Sequence, residues 1–220
     1  MIFRSPHAPI TIPDISLPDY VLANAEEHGD KPALIDGPSG RVITYAQLRP
    51  MIRRLAAGFS SYGVKQNDVV AILSPNLPEY VLAFHAIASL GAITTMVPPL
   101  FTDEEIGRQL RDSGARYLLT IPPLIARARE AGRGSNVSRT FVIGEAENAV
   151  SFASLLNTTE DAPPVRIERN ADLAALPYSS GTTGFPKGVM LSHRNLVAML
   201  CQLNANEPLT EKDTMICVVP

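Results

Sequence analysis

The chain has 220 residues, of which 45% are hydrophobic and 19% are charged, so it can bury a sizeable core as one or two ordinary globular domains. Its formal net charge of −3 gives no basic footprint for nucleic acid or an acidic membrane surface. It contains no apolar run near the roughly 20 residues of a membrane span and no signal-peptide pattern at its start. Cys201 and Cys217 match neither a CxxC nor a zinc spacing, so we expect reduced, buried thiols.

The first hundred residues alternate between helical and strand-like patterns. Pro50 lies inside one helical stretch, where it should kink the helix or mark an irregular first turn, because proline lacks a backbone N–H and clashes with the preceding turn. In chain order, the patterns predict a helix over residues 17–28, a hairpin with strands 33–35 and 42–44, a helix over 45–62, a strand over 69–73, a helix over 78–90 and a strand over 93–97.

The same alternation continues up to residue 144. Thr102 and Glu105 have the spacing of a capping box, which predicts a helix that runs to Ser113 and ends at Gly114. Repeated β-α units of this kind indicate an α/β fold, with a mostly parallel sheet covered by helices. We therefore interpret residues 1–144 as a first α/β region. Its last two strands are predicted over residues 117–121 and 140–143.

Two further regions complete the predicted organisation. Residues 145–170 contain the pair Pro163 and Pro164 and show little apolar periodicity, so we interpret them as a connecting surface stretch. Residues 171–220 read as a strand, a loop and a second strand, followed by a helix that starts near Asn195.

The loop between these strands is the most informative segment of the chain. Its glycines can take backbone angles barred to other residues and leave room for a ligand to touch the main chain. Successive backbone N–H groups in such a turn can form an anion-binding concavity, and a lysine at its rim adds positive charge. This combination favours a site for a polyphosphate, and ATP is the best candidate. The candidate contacts are Ser179, Ser180, Gly181, Thr182, Thr183, Gly184 and Lys187.

Two better-known phosphate loops do not fit these residues. A Walker loop needs Gly-x4-Gly-Lys-Ser/Thr, but when counted from Gly181 the second glycine is replaced by Pro186 and the final hydroxyl residue by Gly188. The segment that follows is apolar and short, which predicts a strand where a Walker loop would open a helix. The dinucleotide pattern G-x-G-x-x-G is absent as well.

Three other features have simpler structural explanations. His193 is a tempting base, but we favour a histidine that closes a strand and caps the helix starting near Asn195. His85 lies in an apolar stretch and is expected to pack within a helix. The acids Asp103–Glu105 suggest a metal site, yet acids in a first helical turn complement the helix dipole, which is the stronger explanation.

The segment from Leu176 to Val197 resembles the signature of the adenylate-forming enzymes, which include acyl-CoA synthetases, firefly luciferase and the adenylation domains of peptide synthetases. Within that group it is most similar to the 4-coumarate–CoA ligases. The resemblance extends from about Leu17 to Pro220 and so covers nearly the whole chain. Upstream segments that contribute to it are residues 43–48, 74–80, 90–92 and 102–113.

The resemblance implies a ligase that converts a carboxylic acid to an acyl-AMP with ATP and then to a thioester with coenzyme A. The loop would orient the β- and γ-phosphates, with Thr183 and Lys187 supporting the departure of pyrophosphate, and we assign no other catalytic residue within the chain. The protein ligand for Mg²⁺ is expected beyond residue 220. The implied substrate is 4-coumarate or a related hydroxycinnamate, and a fatty acid is the close alternative.

The resemblance also implies that the chain is a piece of a larger enzyme, because family members are usually more than twice as long. We expect residues 1–220 to form an incomplete N-terminal, AMP-binding domain that lacks the C-terminal domain, is inactive alone and tends to self-associate. A truncated, non-catalytic nucleotide-binding module is the alternative from a different class. The parent enzyme is expected in the cytoplasm, with the peroxisome as the alternative compartment.

Overall fold

The computed structural model describes residues 9–179, 186–206 and 209–217. Within this part of the chain, strands and helices alternate as the sequence predicts. The strands are β1 (Pro32–Ile35), β2 (Val42–Thr44), β3 (Val69–Leu73), β4 (Ile93–Val97), β5 (Tyr117–Thr120), β6 (Arg139–Val142), β7 (Val150–Ser151), β8 (Leu173–Ala175), β9 (Tyr178–Ser179), β10 (Lys187–Gly188) and β11 (Leu191–Ser192). The helices are α1 (Leu17–Leu22), α2 (Tyr45–Ser61), α3 (Pro78–Ser89), α4 (Asp103–Asp112), α5 (Ile125–Ala131), α6 (Phe152–Leu156) and α7 (His193–Asn206).

A central sheet with the strand order β11-β8-β4-β3-β5-β6-β7 organises the fold. Neighbouring strands in it run parallel, except that β11 is antiparallel to β8. From β3 the chain moves outward to β4, then crosses back over β3 to β5 and continues to β6 and β7. This order confirms the predicted α/β fold, with a mostly parallel sheet between layers of helices.

Both faces of the sheet are buried, which explains why its central strand β3 is an uninterrupted apolar run. Successive side chains of a strand point to opposite faces. In β3, Val70 and Ile72 pack into a large cluster that includes residues of α2 and α3. Ala71 and Leu73 pack on the other face with residues of α4 and α5. The centre of the sheet is therefore held from both sides, which makes it a rigid support for the loops at its edge.

Two predicted helices differ from those observed. The helix predicted over residues 17–28 ends at Leu22, and a 3₁₀ turn, Ala25–His28, follows it. Asn24, with φ −109° and ψ 13°, separates the two segments. In contrast, α2 is continuous through Pro50, and a capping box at Thr44 stabilises its first turn.

The stretch predicted as a surface connection, residues 145–170, contains two elements that the prediction omitted. Strand β7 extends the central sheet and α6 follows it. Phe152 and Leu155 of α6 are buried in the core. Helix α2 approaches α6 closely at Gly58, where an added Cβ would lie 2.3 Å from the carbonyl oxygen of Leu155. Both elements are too short to show a period in the sequence.

The cysteines and the predicted second strand of the loop also need correction. Cys201 is buried in α7, as expected, but Cys217 is exposed. The expected strand after the loop is split into β10, which pairs with β9, and β11, which joins the central sheet. Across the described residues, no helix has the length and apolarity needed to cross a membrane.

Candidate functional site

The structure brings the two ends of the candidate phosphate loop side by side. Ser179 in β9 pairs with Lys187 in β10, and both residues are exposed. The other candidate contacts lie outside the described residues; they are Ser180, Gly181, Thr182, Thr183 and Gly184.

Backbone hydrogen bonds tie the β9–β10 hairpin to the central sheet. The N–H of Val189 donates to the carbonyl oxygen of Pro177 over 2.7 Å, just outside the pair. The N–H of Leu176 donates to the carbonyl of Thr94 over 2.8 Å, and the hydroxyl of Thr95 donates to the carbonyl of Leu176 over 2.8 Å. The entry to the loop is therefore fixed to β4.

Gln109 of α4 extends this network into the core. Its side chain is only 3% exposed and donates to the hydroxyl of Thr95 over 2.9 Å and to the carbonyl of Met96 over 2.8 Å. The amide thus joins α4 to the strand that holds the loop entry. Gln109 was not among the predicted site residues. Its position beside Leu110, on the buried face of an amphipathic helix, is a sequence signal for a buried, hydrogen-bonded amide.

Tyr178 makes a second connection between the hairpin and α4. Its hydroxyl donates to Oδ2 of Asp112 over 2.5 Å. Burial, reinforced by this carboxylate, raises the pKa of the Tyr178 hydroxyl. The phenol therefore stays protonated and remains a donor throughout the physiological pH range.

A largely apolar cavity of about 490 Å³ lies next to the hairpin. Its walls come from the segments that follow the carboxyl ends of β3, β4 and β8, together with α3, and include Tyr80, Phe84, His85, Met96 and Tyr178. Parallel α/β sheets bind ligands beyond the carboxyl ends of their strands. The cavity therefore lies next to the position that a ligand bound to the loop would occupy.

The cavity lies to one side of the point where the strand order reverses. That point falls between β3 and β5, where the buried hydroxyl of Thr120 donates to the carbonyl of Leu73 over 2.8 Å. This hydrogen bond joins the ends of β3 and β5, whereas the cavity lies beyond the carboxyl ends of β3, β4 and β8, on the side of the sheet that carries the hairpin.

A comparison with known protein families identifies the family to which the chain belongs. The sequence profile of the family described as "AMP-binding enzyme" matches residues 21–220. The chain belongs to the AMP-binding enzyme family. The matched region includes the hairpin, the cavity wall and the central sheet, so the site belongs to the part of the chain that defines the family.

Two curated relatives that resemble the chain are CoA ligases. The chain is 38% identical over 226 residues to 4-coumarate:CoA ligase 1 of Petunia hybrida and 42% identical over 225 residues to 4-coumarate–CoA ligase 5 of Oryza sativa subsp. japonica. Each match covers 100% of this chain and 41% of the relative. The chain therefore spans about two fifths of the length of these relatives.

A solved structure has the same fold. The crystal structure of a long-chain-fatty-acid-CoA ligase from Archaeoglobus fulgidus superposes with a TM-score of 0.87 at 30% sequence identity. The match covers 96% of this chain and 43% of that protein. The α/β architecture described above is thus that of the adenylate-forming enzymes.

His85 is a packed residue of α3, as predicted, and it also lines the cavity. Burial lowers the pKa of His85 to about 4. Its Nδ1 is buried and has no hydrogen-bond partner among the described residues. The imidazole is therefore neutral near pH 7, which rules out a role as a fixed positive charge beside the loop.

His193 is structural, but it does not cap α7. The cap is Ser192, whose hydroxyl accepts from the N–H of Asn195 over 3.2 Å, while Oδ1 of Asn195 accepts from the N–H of Ser192 over 3.0 Å. The helix thus begins at His193, two residues earlier than predicted. His193 is fully buried, its pKa is lowered by that burial, and its Nδ1 accepts from the N–H of Leu17 over 3.2 Å.

Among the acids at the start of α4, Glu105 forms the predicted capping box with Thr102. The N–H of Thr102 donates to Oε2 of Glu105 over 2.7 Å, and the N–H of Glu105 donates to the hydroxyl of Thr102 over 3.3 Å. Oε2 of Glu105 also accepts from the hydroxyl of Thr102 over 2.9 Å, and the two bonds that it accepts from the N–H and the hydroxyl of Thr102 lower the pKa of the Glu105 carboxyl. The carboxylate of Glu105 therefore caps the amino end of the helix.

Proposed function

We propose that the whole protein activates a carboxylic acid with ATP and then transfers the acyl group to coenzyme A. In the first step, a carboxylate oxygen attacks the α-phosphorus of ATP, which gives acyl-AMP and pyrophosphate. In the second step, the thiol sulfur of coenzyme A attacks the acyl carbon and displaces AMP. The observation that carries this proposal is membership of the AMP-binding enzyme family, with CoA ligases matching the chain over its full length.

The loop is proposed to bind the β- and γ-phosphates of ATP. Negative charge grows on these groups as pyrophosphate leaves, so donors already aimed at them lower the barrier. The paired and exposed positions of Ser179 and Lys187 support this role, because both face solvent at the base of the turn. The proposed set of contacts is Ser179, Ser180, Gly181, Thr182, Thr183, Gly184 and Lys187.

Mg²⁺ would neutralise phosphate charge in this reaction. Among the residues that the structure describes, no group of three or more His, Cys, Asp or Glu side chains comes together. We propose that the protein ligand for Mg²⁺ lies beyond residue 220 and that the ATP phosphates supply further ligands for the ion.

The proposed substrate is 4-coumarate or a related hydroxycinnamate. The support is the identity of 38% and 42% to two 4-coumarate–CoA ligases. A fatty acid is the second candidate, because a long-chain-fatty-acid-CoA ligase superposes on the chain at 30% identity. An apolar cavity beside the hairpin suits either class of acyl group.

The test uses the product of the longest natural open reading frame that contains this sequence. The purified protein is given ATP, Mg²⁺ and one acid at a time, and acyl-AMP is detected by mass spectrometry. We expect coumaroyl-AMP with 4-coumarate and less product with hexadecanoate. A preference for hexadecanoate would favour the fatty-acid alternative, and ATP binding without any acyl-AMP would favour a non-catalytic nucleotide-binding protein.

A further inference from the structure

The hydrogen bond between Tyr178 and Asp112 joins two segments that are 66 residues apart in sequence. At 2.5 Å it has the length of a charge-assisted O–H···O⁻ bond, which is stronger than a bond between neutral groups. It connects the end of α4 to β9, the strand that enters the loop.

The position of Asp112 is electrostatically unfavourable for the helix itself. Asp112 is the last residue of α4, and a carboxylate at a helix carboxyl end faces the negative end of the helix dipole. Helix stability therefore does not account for an acid at this position. The hydroxyl of Tyr178 accounts for the acid, because it donates a hydrogen bond to the Asp112 carboxylate.

The ring of Tyr178 also lies against the strand that leaves the loop. Tyr178 pairs with Gly188 across the hairpin, and a Cβ added at Gly188 would lie 3.3 Å from Cζ and 3.4 Å from Oη of the tyrosine. The glycine therefore leaves room for the ring to lie against the backbone of β10. The residue before Gly188 is Lys187, so the ring contacts the backbone next to the proposed phosphate-binding lysine.

An isolated hairpin of two residue pairs is too short to be rigid in water and depends on outside contacts for a fixed position. We propose that Tyr178 and Asp112 form a clamp that positions Lys187 for the β- and γ-phosphates of ATP. This inference rests on the proposed function. Tyr178 is a positioning residue, because it acts through Lys187.

The clamp is tested by the affinity for ATP and by the rate of ATP–pyrophosphate exchange in the natural full-length protein. Tyr178→Phe keeps the ring and removes the hydroxyl, and we expect it to weaken ATP binding about 5- to 20-fold, which corresponds to one lost charge-assisted hydrogen bond that is partly replaced by water. The KM for the carboxylic acid should stay within twofold, because phenylalanine keeps the aromatic ring that lines the cavity. Tyr62→Phe is the matched control, because Tyr62 packs against Phe141, away from the hairpin.

A double-mutant cycle separates the clamp from a general loss of stability. Asp112 is exposed, so Asp112→Ala should fold normally. The Tyr178→Phe/Asp112→Ala protein should bind ATP no more than twofold more weakly than Tyr178→Phe alone. In a Lys187→Ala background, Tyr178→Phe should have an effect below twofold. Additive effects in either comparison would overturn the clamp, as would ATP binding by Tyr178→Phe within twofold of wild type.

The two proposals fail in different ways. A wild-type protein that binds ATP but forms no acyl-AMP would overturn the proposed function, while the ATP affinities of the variants would still decide the clamp. A wild-type protein that does not bind ATP would overturn both.

Discussion

At the scale of single residues, Lys187 has the most direct proposed role. Its ammonium group is exposed at the base of the loop, opposite Ser179, where a polyphosphate can approach from solvent. Tyr178 and Gly188 form the adjacent pair of the hairpin, where the tyrosine ring lies against the backbone of Gly188. The hairpin thus restricts the backbone of Lys187, while its exposed ammonium group is accessible to a ligand.

Lys187→Ala is expected to slow acyl-AMP formation by about 10- to 200-fold in the full-length protein. The reason is the loss of a charge-assisted bond worth roughly 1.5–3 kcal/mol, provided that it strengthens in the transition state. The rate is measured by ATP–pyrophosphate exchange at low ATP. Lys65→Ala is the control, since Lys65 lies before β3, at the opposite end of the sheet from the loop. An unchanged exchange rate would remove Lys187 from the site.

His85 gives a prediction for stability against pH. Its pKa is lowered from 6.5 to about 4 in the folded protein, so the unfolded chain binds a proton first as the pH falls. This contribution to stability is therefore complete above about pH 6.5 and is lost between that pH and about 4. The full loss is on the order of 3 kcal/mol.

The measurement is the urea midpoint of unfolding at pH 7 and pH 5 for wild type and His85→Leu. We expect the wild type to lose more stability than the variant over this interval. His193→Leu provides a comparison, because burial also lowers the pKa of His193. Equal pH slopes for wild type and His85→Leu would show that His85 is not responsible.

At the scale of elements, close approach of backbones decides the packing around α2. Gly58 faces α6, and an added Cβ would lie 2.3 Å from Leu155 O and 2.8 Å from Leu155 Cα. Since these are backbone atoms, the contact cannot be relieved by a side-chain rotation. The buried Leu155 and Phe152 hold α6 in place.

Gly58→Ala is expected to lower the free energy of unfolding by about 1–3 kcal/mol, the usual cost of overpacking. Alanine favours a helix by up to ~1 kcal/mol over glycine, so the clash outweighs the gain in propensity. Gly37→Ala is the control, because nothing lies within 4 Å of its added Cβ. A Gly58→Ala protein as stable as wild type in urea would contradict the close packing of α2 and α6.

The elements that could be predicted from sequence are those with a local signal. Strands β3 and β4 were predicted with their observed bounds, and the cap of α4 follows from Thr102 and Glu105. The link from His193 to Leu17 spans 176 residues, and the link from Tyr178 to Asp112 spans 66. No local pattern encodes such pairs, since they arise only when the sheet brings distant segments together.

At the scale of the whole molecule, the sheet and its helices form one side of the proposed ligand site. The hairpin and the cavity lie at the same edge, beyond the carboxyl ends of β3, β4 and β8. This arrangement places a proposed phosphate-binding loop beside an apolar space for an acyl group. It suits a reaction in which a carboxylate and a nucleotide must be held together.

The proposed reaction begins when a carboxylate oxygen attacks the α-phosphorus of ATP. The most direct test supplies the full-length protein with ATP, Mg²⁺, coenzyme A and 4-coumarate labelled with ¹⁸O in its carboxylate. Mass spectrometry of the nucleotide and phosphate products then shows where the label goes. We expect one ¹⁸O atom in each AMP released and none in pyrophosphate. Formation of ADP with ¹⁸O in inorganic phosphate would instead show attack at the γ-phosphorus and would contradict the account.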